Sequence, residues 1–246
     1  MRKILMAIAY DGTAYHGWAR QDGTKTVAGT IDRAVSELTG EDVMISGASR
    51  TDAGVHALMN MAVLETESKI PAEKFAGALN VRLPEDITIR WSKEADPSFS
   101  MREAKFFKTY RYSILNSSFR DPTKRLYTYQ VTYELDIERM RDAAKPLVGE
   151  HDFKSFCSAH TEAKTTVRII HSIEIEKNAE TVNIRVSGYG FLYNMVRIIV
   201  GTLIEAGRGR LDPKDVKDIL EACDRTKAGP TVPPEGLTLE FMEILP

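Results

Sequence analysis

The stretch KILMAIAYDG, residues 3–12, is an apolar run that ends at an Asp-Gly turn signal, and it predicts a first β-strand over Lys3–Tyr10. The next patterned segment, Thr26–Leu38, predicts a helix that Thr39-Gly40 stops. Its apolar side chains recur at helical spacing, at Val27, Ile31, Ala34, Val35 and Leu38. The chain therefore opens with a strand followed by a helix.

Four further elements complete the first series. Val43–Ser49 and Leu58–Thr66 are patterned as strands, Pro71 opens a second helix, and Ile87–Trp91 alternates as a strand. The resulting order, β-α-β-β-α-β, is that of the split, ferredoxin-like arrangement, and it ends near Lys93.

A second series follows a joint near Asp96–Met101. Its predicted elements are the strand Phe106–Leu115, the helix Asp136–Val148, the strands Val167–Glu176 and Thr181–Gly188, the helices Phe191–Gly207 and Pro213–Cys223, and the strand Leu237–Ile244. We therefore predict an α+β fold of two ferredoxin-like (RRM-like) halves, residues 1–96 and residues 101–246 with an extra helix. We expect them to form one broad, mostly antiparallel sheet, with helices on one face and a central cleft suited to RNA, and to act as one domain.

The composition is that of a soluble globular protein. The chain has 246 residues, of which 43% are hydrophobic and 28% charged, and its formal net charge is −2. No apolar run reaches the roughly 20 residues of a membrane span, and the apolar start is too short for a signal peptide. We therefore expect a cytoplasmic protein with no membrane partner.

Basic and acidic residues are unevenly distributed along the chain, although the net charge is low. The stretch Met101–Arg125 carries seven basic residues against two acidic ones. A solvated face is the ordinary interpretation, but Arg102, Lys105 and Lys108 are also candidates for contact with RNA phosphates.

Metal and cofactor signatures are missing from the sequence. Cys157 and Cys223 form no CxxC pattern, and the five histidines fit no metal-ligand spacing. The chain contains no GxxxxGK[ST], no GxGxxG opening a helix and no HExxH. We expect neither a metal ion nor a cofactor.

The stretch GASRTDAGVHA, residues 47–57, places Asp52 two residues from Arg50 in a turn bounded by Gly47 and Gly54. By itself an aspartate in such a turn is usually a turn or cap residue. The whole stretch, however, resembles the signature of the tRNA pseudouridine synthase A (TruA) family. Four further stretches resemble motifs of that family in the same order: YDGTAYHGWARQ (10–21), KTYRYSI (108–114), GYGFLYNMVRIIVGTLIEAGRG (188–209) and AGPTVPPEGLTLEFM (228–242).

The chain departs from the family pattern in two places. Ser49 stands where many members have a second glycine, and residues 101–105 replace a common FSA-like run. Neither departure changes a catalytic residue type.

The resemblance implies an isomerase that converts uridine to pseudouridine in the tRNA anticodon stem-loop, at positions 38, 39 or 40. It implies Asp52 as the catalytic carboxylate, Arg197 as its ion-pair partner and Tyr110 as the active-site tyrosine, which can stack on uracil. Phe191 and Leu192 would supply an apolar floor. Family members are homodimers in which one tRNA contacts both subunits, and we carry that over as an expectation.

The same resemblance gives a reason for the glycine-bounded turn. Arg50 would fill the gap left by a flipped nucleotide, since the glycosidic bond is inaccessible within a base stack. Gly54 would let the chain leave the strand sharply, and Gly47 would permit close approach of the RNA backbone.

Two other functions remain open from the residues. A non-catalytic RNA-binding module would need no set of Asp52, Tyr110 and Arg197, and a hydrolase would use Asp52 with His56. We interpret His56 as structural rather than as an acid–base partner. The sequence leaves open whether Asp52 attacks the sugar, attacks the ring or abstracts a sugar proton.

Overall fold

The computed structural model describes residues 1–158, 161 and 163–245, and within them the fold is α+β. The strands are β1 (Arg2–Tyr10), β2 (Ser46–Gly47), β3 (His56–Thr66), β4 (Ile87–Ala95), β5 (Phe106–Asn116), β6 (Tyr129–Val131), β7 (Gly149–Asp152), β8 (Val167–Asn178), β9 (Thr181–Tyr189) and β10 (Leu237–Ile244). The α-helices are α1 (Val27–Thr39), α2 (Phe75–Asn80), α3 (Ile137–Ala144), α4 (Met195–Gly207) and α5 (Asp215–Glu221). None of the helices in these residues combines the length and the apolar character that crossing a membrane requires.

The chain divides into two compact units, Met1–Phe106 together with the residues from Thr238 onward, and Phe107–Leu237. The last strand belongs with the first unit because Thr238 and Leu239 pair in parallel with His56 and Ala57 of β3. Nothing in the alternating pattern of a strand identifies the strand with which it pairs.

The first unit contains its elements in the predicted order β-α-β-β-α-β. β1 pairs antiparallel with both β3 and β4, and β2 pairs antiparallel with β3. Helix α1 agrees with its prediction to within a residue. Its first turn is capped by the Thr26 side chain, which accepts from Gly29 N, and it ends at Gly40 in the left-handed region (φ 73°).

The second strand is much shorter than predicted, since only Ser46–Gly47 of Val43–Ser49 forms it. The reason lies in side chains that take the backbone groups of Ile45. Asp32 Oδ1 accepts the Ile45 N–H at 2.9 Å, and Arg20 Nη2 donates to the Ile45 carbonyl at 2.8 Å. Because both backbone groups of Ile45 are already hydrogen-bonded to side chains, this residue needs no neighbouring strand as a partner.

The second unit contains a run of antiparallel pairs, β5 with β9, β9 with β8, and β8 with β7, while β6 pairs in parallel with β5. Tyr110, Tyr112 and Ile114 share one face of β5 and are buried. The short strands β6 and β7 were not predicted. Helix α4 begins at Met195 rather than at Phe191, because Asn194 adopts a left-handed conformation (φ 60°) immediately before it.

Candidate active site

Asp52 lies in the loop of residues 48–55 that joins β2 to β3. The side chains alternate along this loop: Ser49 and Thr51 are only 5% and 7% exposed, whereas Arg50 is exposed. Asp52 is half-buried. The alternation over residues 49–52 leaves Arg50 exposed and Asp52 partly exposed, so both charged groups are accessible to solvent.

The segment that follows β1 holds this loop in place. Trp18 N donates to the Thr51 carbonyl at 3.0 Å, and Gly54 N donates to the Tyr15 carbonyl at 3.3 Å. Gly17 makes the close approach possible, since a Cβ at its position would lie 2.6 Å from the Thr51 carbonyl oxygen. The YDGTAYHGWARQ stretch, residues 10–21, therefore holds the Asp52 loop in place.

The two glycines that bound the turn have different roles. Gly54 has φ +76°, a conformation that other residues adopt only with strain, and the predicted sharp change of direction is found there. The prediction for Gly47 was wrong. A Cβ at Gly47 would lie 2.4 Å from the indole Nε1 of Trp18, so the space beside this glycine is filled by the protein's own tryptophan and not left for an RNA backbone.

His56 begins β3 and is 3% exposed. Its Nδ1 lies 3.1 Å from Gly12 N and also 3.1 Å from Oδ1 of Asp11. The first contact uses the lone pair of Nδ1 and the second needs a proton there, so the two are alternatives. Either one ties the imidazole to the segment after β1, which supports a structural role.

Tyr110 lies on β5 in the second unit and is 8% exposed. Its ring makes an edge-to-face contact with Phe191, with ring centroids 5.1 Å apart and an interplanar angle of 82°. Leu192 is buried at 6% exposure, and its N–H points to the sulfur of Met195 at 3.5 Å. The structure thus brings together Tyr110 and Phe191, and it places Phe191 and Leu192 in the turn before α4 instead of in the helix.

Arg197 lies in the first turn of α4 and is half-buried. Its Nε donates to the Val232 carbonyl and its Nη1 to Oδ1 of Asn194, both at 2.7 Å. Val232 N in turn donates to the Arg197 carbonyl at 3.4 Å. Two nitrogens of the guanidinium are therefore fixed by fold contacts, and these set the direction of the whole planar group.

The three basic candidates for phosphate contact differ in their surroundings. Arg102 and Lys105 are exposed, whereas Lys108 is half-buried on β5. Burial lowers the pKa of the Lys108 ammonium from 10.5 to about 8. Two of these side chains are therefore accessible to solvent, and the third is a partly buried amine whose pKa of about 8 lies within the range of ordinary assay buffers.

Several residues of these surroundings were not singled out in the sequence. Tyr10, Trp18 and Asn60 hold or fill the space around the Asp52 loop, and Asn194 and Val232 hold Arg197. Asn60 carried a usable signal, since it is the one amide in the apolar run LMNMAVL. Among the side chains that the structure describes, no three His, Cys, Asp or Glu residues are placed to hold a metal ion.

Comparison with known proteins gives a consistent result across the chain. A family model described as tRNA pseudouridine synthase matches residues 6–102 and 143–243. The tRNA pseudouridine synthase A of Caldicellulosiruptor bescii is 49% identical over 239 residues, which are 97% of this chain and 98% of that protein. The protein of the same name from Thermoanaerobacter sp. (strain X514) is 47% identical with the same coverage. The tRNA pseudouridine synthase A 2 of Clostridium tetani is 49% identical over 241 residues, 97% of each chain. With similarity of this extent over nearly its whole length, the chain belongs to the tRNA pseudouridine synthase family.

Proposed function

We propose that this protein isomerises uridine to pseudouridine in the anticodon stem-loop of tRNA, at position 38, 39 or 40, with Asp52 as its catalytic carboxylate. The observation that carries the proposal is the Asp52 loop. A half-buried carboxylate projects beside an exposed Arg50 from a loop whose backbone is fixed at several points, in a chain of the tRNA pseudouridine synthase family. A fixed carboxylate of this kind is suited to act as a nucleophile or a base.

The proposed reaction is balanced within the nucleotide. The bond from uracil N1 to ribose C1′ breaks, the base turns, and a new bond joins C5 to C1′. The proton on C5 leaves and N1 gains one, so no electron donor or acceptor takes part. Asp52 would attack C1′, attack C6 of the ring or remove the proton on C2′, and all three roles need an ionised carboxylate beside the sugar.

The other site residues take the roles that their local geometry permits. Arg197 would keep the carboxylate ionised and aimed, with its guanidinium oriented by Val232 and Asn194. Tyr110, set against Phe191, would stack on the uracil, and its hydroxyl is a candidate for removal of the C5 proton. Phe191 and Leu192 would line the base from below. Arg50, exposed on the loop, would occupy the place of the flipped nucleotide.

The tRNA would be held by charge outside the reacting nucleotide. Arg102, Lys105 and Lys108 are proposed to contact phosphates. We further propose that two ferredoxin-like halves form one broad sheet with a central cleft, and that the protein works as a cytoplasmic homodimer in which one tRNA contacts both subunits. The resemblance to the family supports these points.

Conversion of an unmodified transcript tests the proposal directly. A tRNA transcript labelled with tritium at uridine C5 should release tritium to water when incubated with the enzyme in EDTA and without nucleotides. Nucleoside chromatography should show pseudouridine, and transcripts with cytidine at one of positions 38, 39 and 40 should identify the target. Binding without tritium release would support the RNA-binding module instead, and free uracil would support the hydrolase.

Lys108 provides a pH test of the phosphate contacts. Because its pKa is about 8, the side chain is mostly charged at pH 7 and mostly neutral at pH 9. We expect the Kd for tRNA to rise several-fold between these values. The Lys108→Arg variant keeps its charge throughout, so its Kd should change much less.

The comparison of the two curves decides the role of Lys108. Equal pH dependence in the wild type and in Lys108→Arg would exclude this residue as the phosphate contact that titrates. Filter binding or fluorescence anisotropy at constant ionic strength is sufficient for the measurement.

A further inference from the structure

Three buried polar side chains, one from the Asp52 loop and one each from β1 and β3, are joined by hydrogen bonds in the first unit. Tyr10, Thr51 and Asn60 are 5%, 7% and 0% exposed. The Tyr10 hydroxyl lies 2.7 Å from Oγ1 of Thr51, and Asn60 Nδ2 donates to the Ser49 carbonyl at 3.0 Å and to the Tyr10 hydroxyl at 3.4 Å. Burying a polar group lowers the stability of the fold unless the group is hydrogen-bonded, and each of these three side chains has a hydrogen-bond partner.

These hydrogen bonds lie beside an irregularity in the sheet. Asn60 stands opposite Ile8 and Ala57 stands opposite Tyr10, so the β1–β3 register shifts between Ile8 and Tyr10. A bulge of this kind re-aims neighbouring side chains. It brings a residue from the end of β1 and one from the middle of β3 to the same loop.

These contacts fix the loop backbone on both sides of the carboxylate. Ser49 is held through its carbonyl by Asn60, and Thr51 is held through its hydroxyl by Tyr10 and through its carbonyl by Trp18 N. After Asp52, Val55 N closes a turn onto the Asp52 carbonyl at 3.2 Å. The peptide units next to Asp52 therefore have little freedom to rotate.

We infer that Tyr10, Thr51 and Asn60 are positioning residues, whose buried hydrogen bonds keep the Asp52 carboxylate pointed in one direction. The inference rests on the proposed function, in which Asp52 acts on the uridine. All three side chains face the interior, so they act through the loop and not on the substrate. An unfixed loop would leave Asp52 present but misaligned, and misplacement by about 1 Å costs on the order of 10²-fold in rate.

The Thr51→Val variant tests the inference because it exchanges the hydroxyl for a methyl group of similar size. We expect kcat to fall by roughly 10- to 100-fold while KM for tRNA stays unchanged, since no side chain on the outer surface is altered. Thr51→Ser keeps the hydroxyl and should restore kcat to within a few-fold of the wild type. Tyr10→Phe removes the partner oxygen, and the double variant should be no slower than the slower single variant, because both remove the same hydrogen bond.

Stability measurements separate positioning from a role in folding. If the network only stabilised the fold, Thr51→Val and Tyr10→Phe would lower the unfolding temperature but leave kcat per folded molecule at the wild-type value, and that result would overturn the inference. Should Thr51→Val fail to fold, Tyr10→Phe, which loses a single oxygen, decides the question by the same readout.

An Asp52→Asn variant measured in parallel distinguishes a failure of the proposed function from a failure of the positioning role alone. Full activity of Asp52→Asn would refute the proposed function and the positioning role with it. An inactive Asp52→Asn together with wild-type kcat in Tyr10→Phe and Thr51→Val would refute the positioning role alone.

Discussion

Replacing Asp52 by asparagine should reduce pseudouridine formation by up to about 10⁴-fold and leave tRNA binding nearly unchanged. The amide has the size and the hydrogen-bonding reach of the carboxylate but neither its charge nor its basicity. The loop is held by its backbone, by Thr51 and by Asn60, so the variant should keep its shape. The loss would therefore report on the chemistry of the carboxylate.

The measurement is a single-turnover assay with enzyme in excess over tritium-labelled tRNA, combined with a binding curve for each variant. Asp42→Asn is the matched control, since Asp42 is an exposed aspartate ahead of β2 and outside the proposed site. That control should keep wild-type activity. If Asp52→Asn retained turnover within ten-fold of the wild type, Asp52 would be neither the nucleophile nor the base.

The sequence predicted most of the first unit because its signals are local. Four of the five positions that predicted α1, namely 27, 31, 34 and 35, are buried together with Ala28, whereas Leu38 near the end of the helix is only half-buried. The end of the helix at Gly40 follows from a single residue able to adopt a positive φ. The length of β2 was not predictable in the same way. It depends on Asp32 and Arg20, which reach Ile45 only after the chain has folded.

Helix α3 is a second element whose environment depends on side chains that bind distant backbone groups. The run RMRDAAK, residues 139–145, has the composition of a solvated helix surface. In the structure, Arg139 donates to the carbonyls of Ala206 and Leu211 at 3.0 Å, and Arg141 donates to the carbonyl of Ile175. A long cationic side chain can either extend into solvent or donate to backbone carbonyls elsewhere in the fold, and only the tertiary structure shows which of the two occurs.

In the candidate site, too, features set by neighbouring residues were predictable and contacts with residues distant in the sequence were not. The motif around Asp52 identified the residue type and its turn, but the interpretation of Gly47 failed because Trp18 fills the space beside it from 29 positions earlier in the chain. The buried Tyr10–Thr51 hydrogen bond was equally out of reach, since 41 residues separate its partners. Resemblance to a family indicates which residues matter, and the structure indicates what holds them.

Replacing Arg197 by lysine should lower kcat on the order of 10²-fold, with a much smaller effect on stability. The guanidinium uses Nε for the Val232 carbonyl and Nη1 for Asn194 Oδ1, and these two contacts fix the plane of the group and the direction of its remaining N–H bonds. A lysine has one nitrogen on a flexible stem. It can satisfy Val232 or Asn194, or it can turn toward a carboxylate, but it cannot hold all of these directions at once.

The cost to the fold should be limited to about one or two hydrogen bonds, each contributing roughly 1 kcal/mol, or an unfolding temperature lower by a few degrees. Arg210→Lys is the matched control, because Arg210 is exposed just beyond the end of α4 and lies outside the proposed site. Circular dichroism should show both variants folded, and only Arg197→Lys should be slow. If activity instead fell only in proportion to the unfolded fraction of Arg197→Lys, Arg197 would be a structural residue. Its hydrogen bonds to Val232 and Asn194 would then stabilise the packing of α4 and would not orient the guanidinium for catalysis.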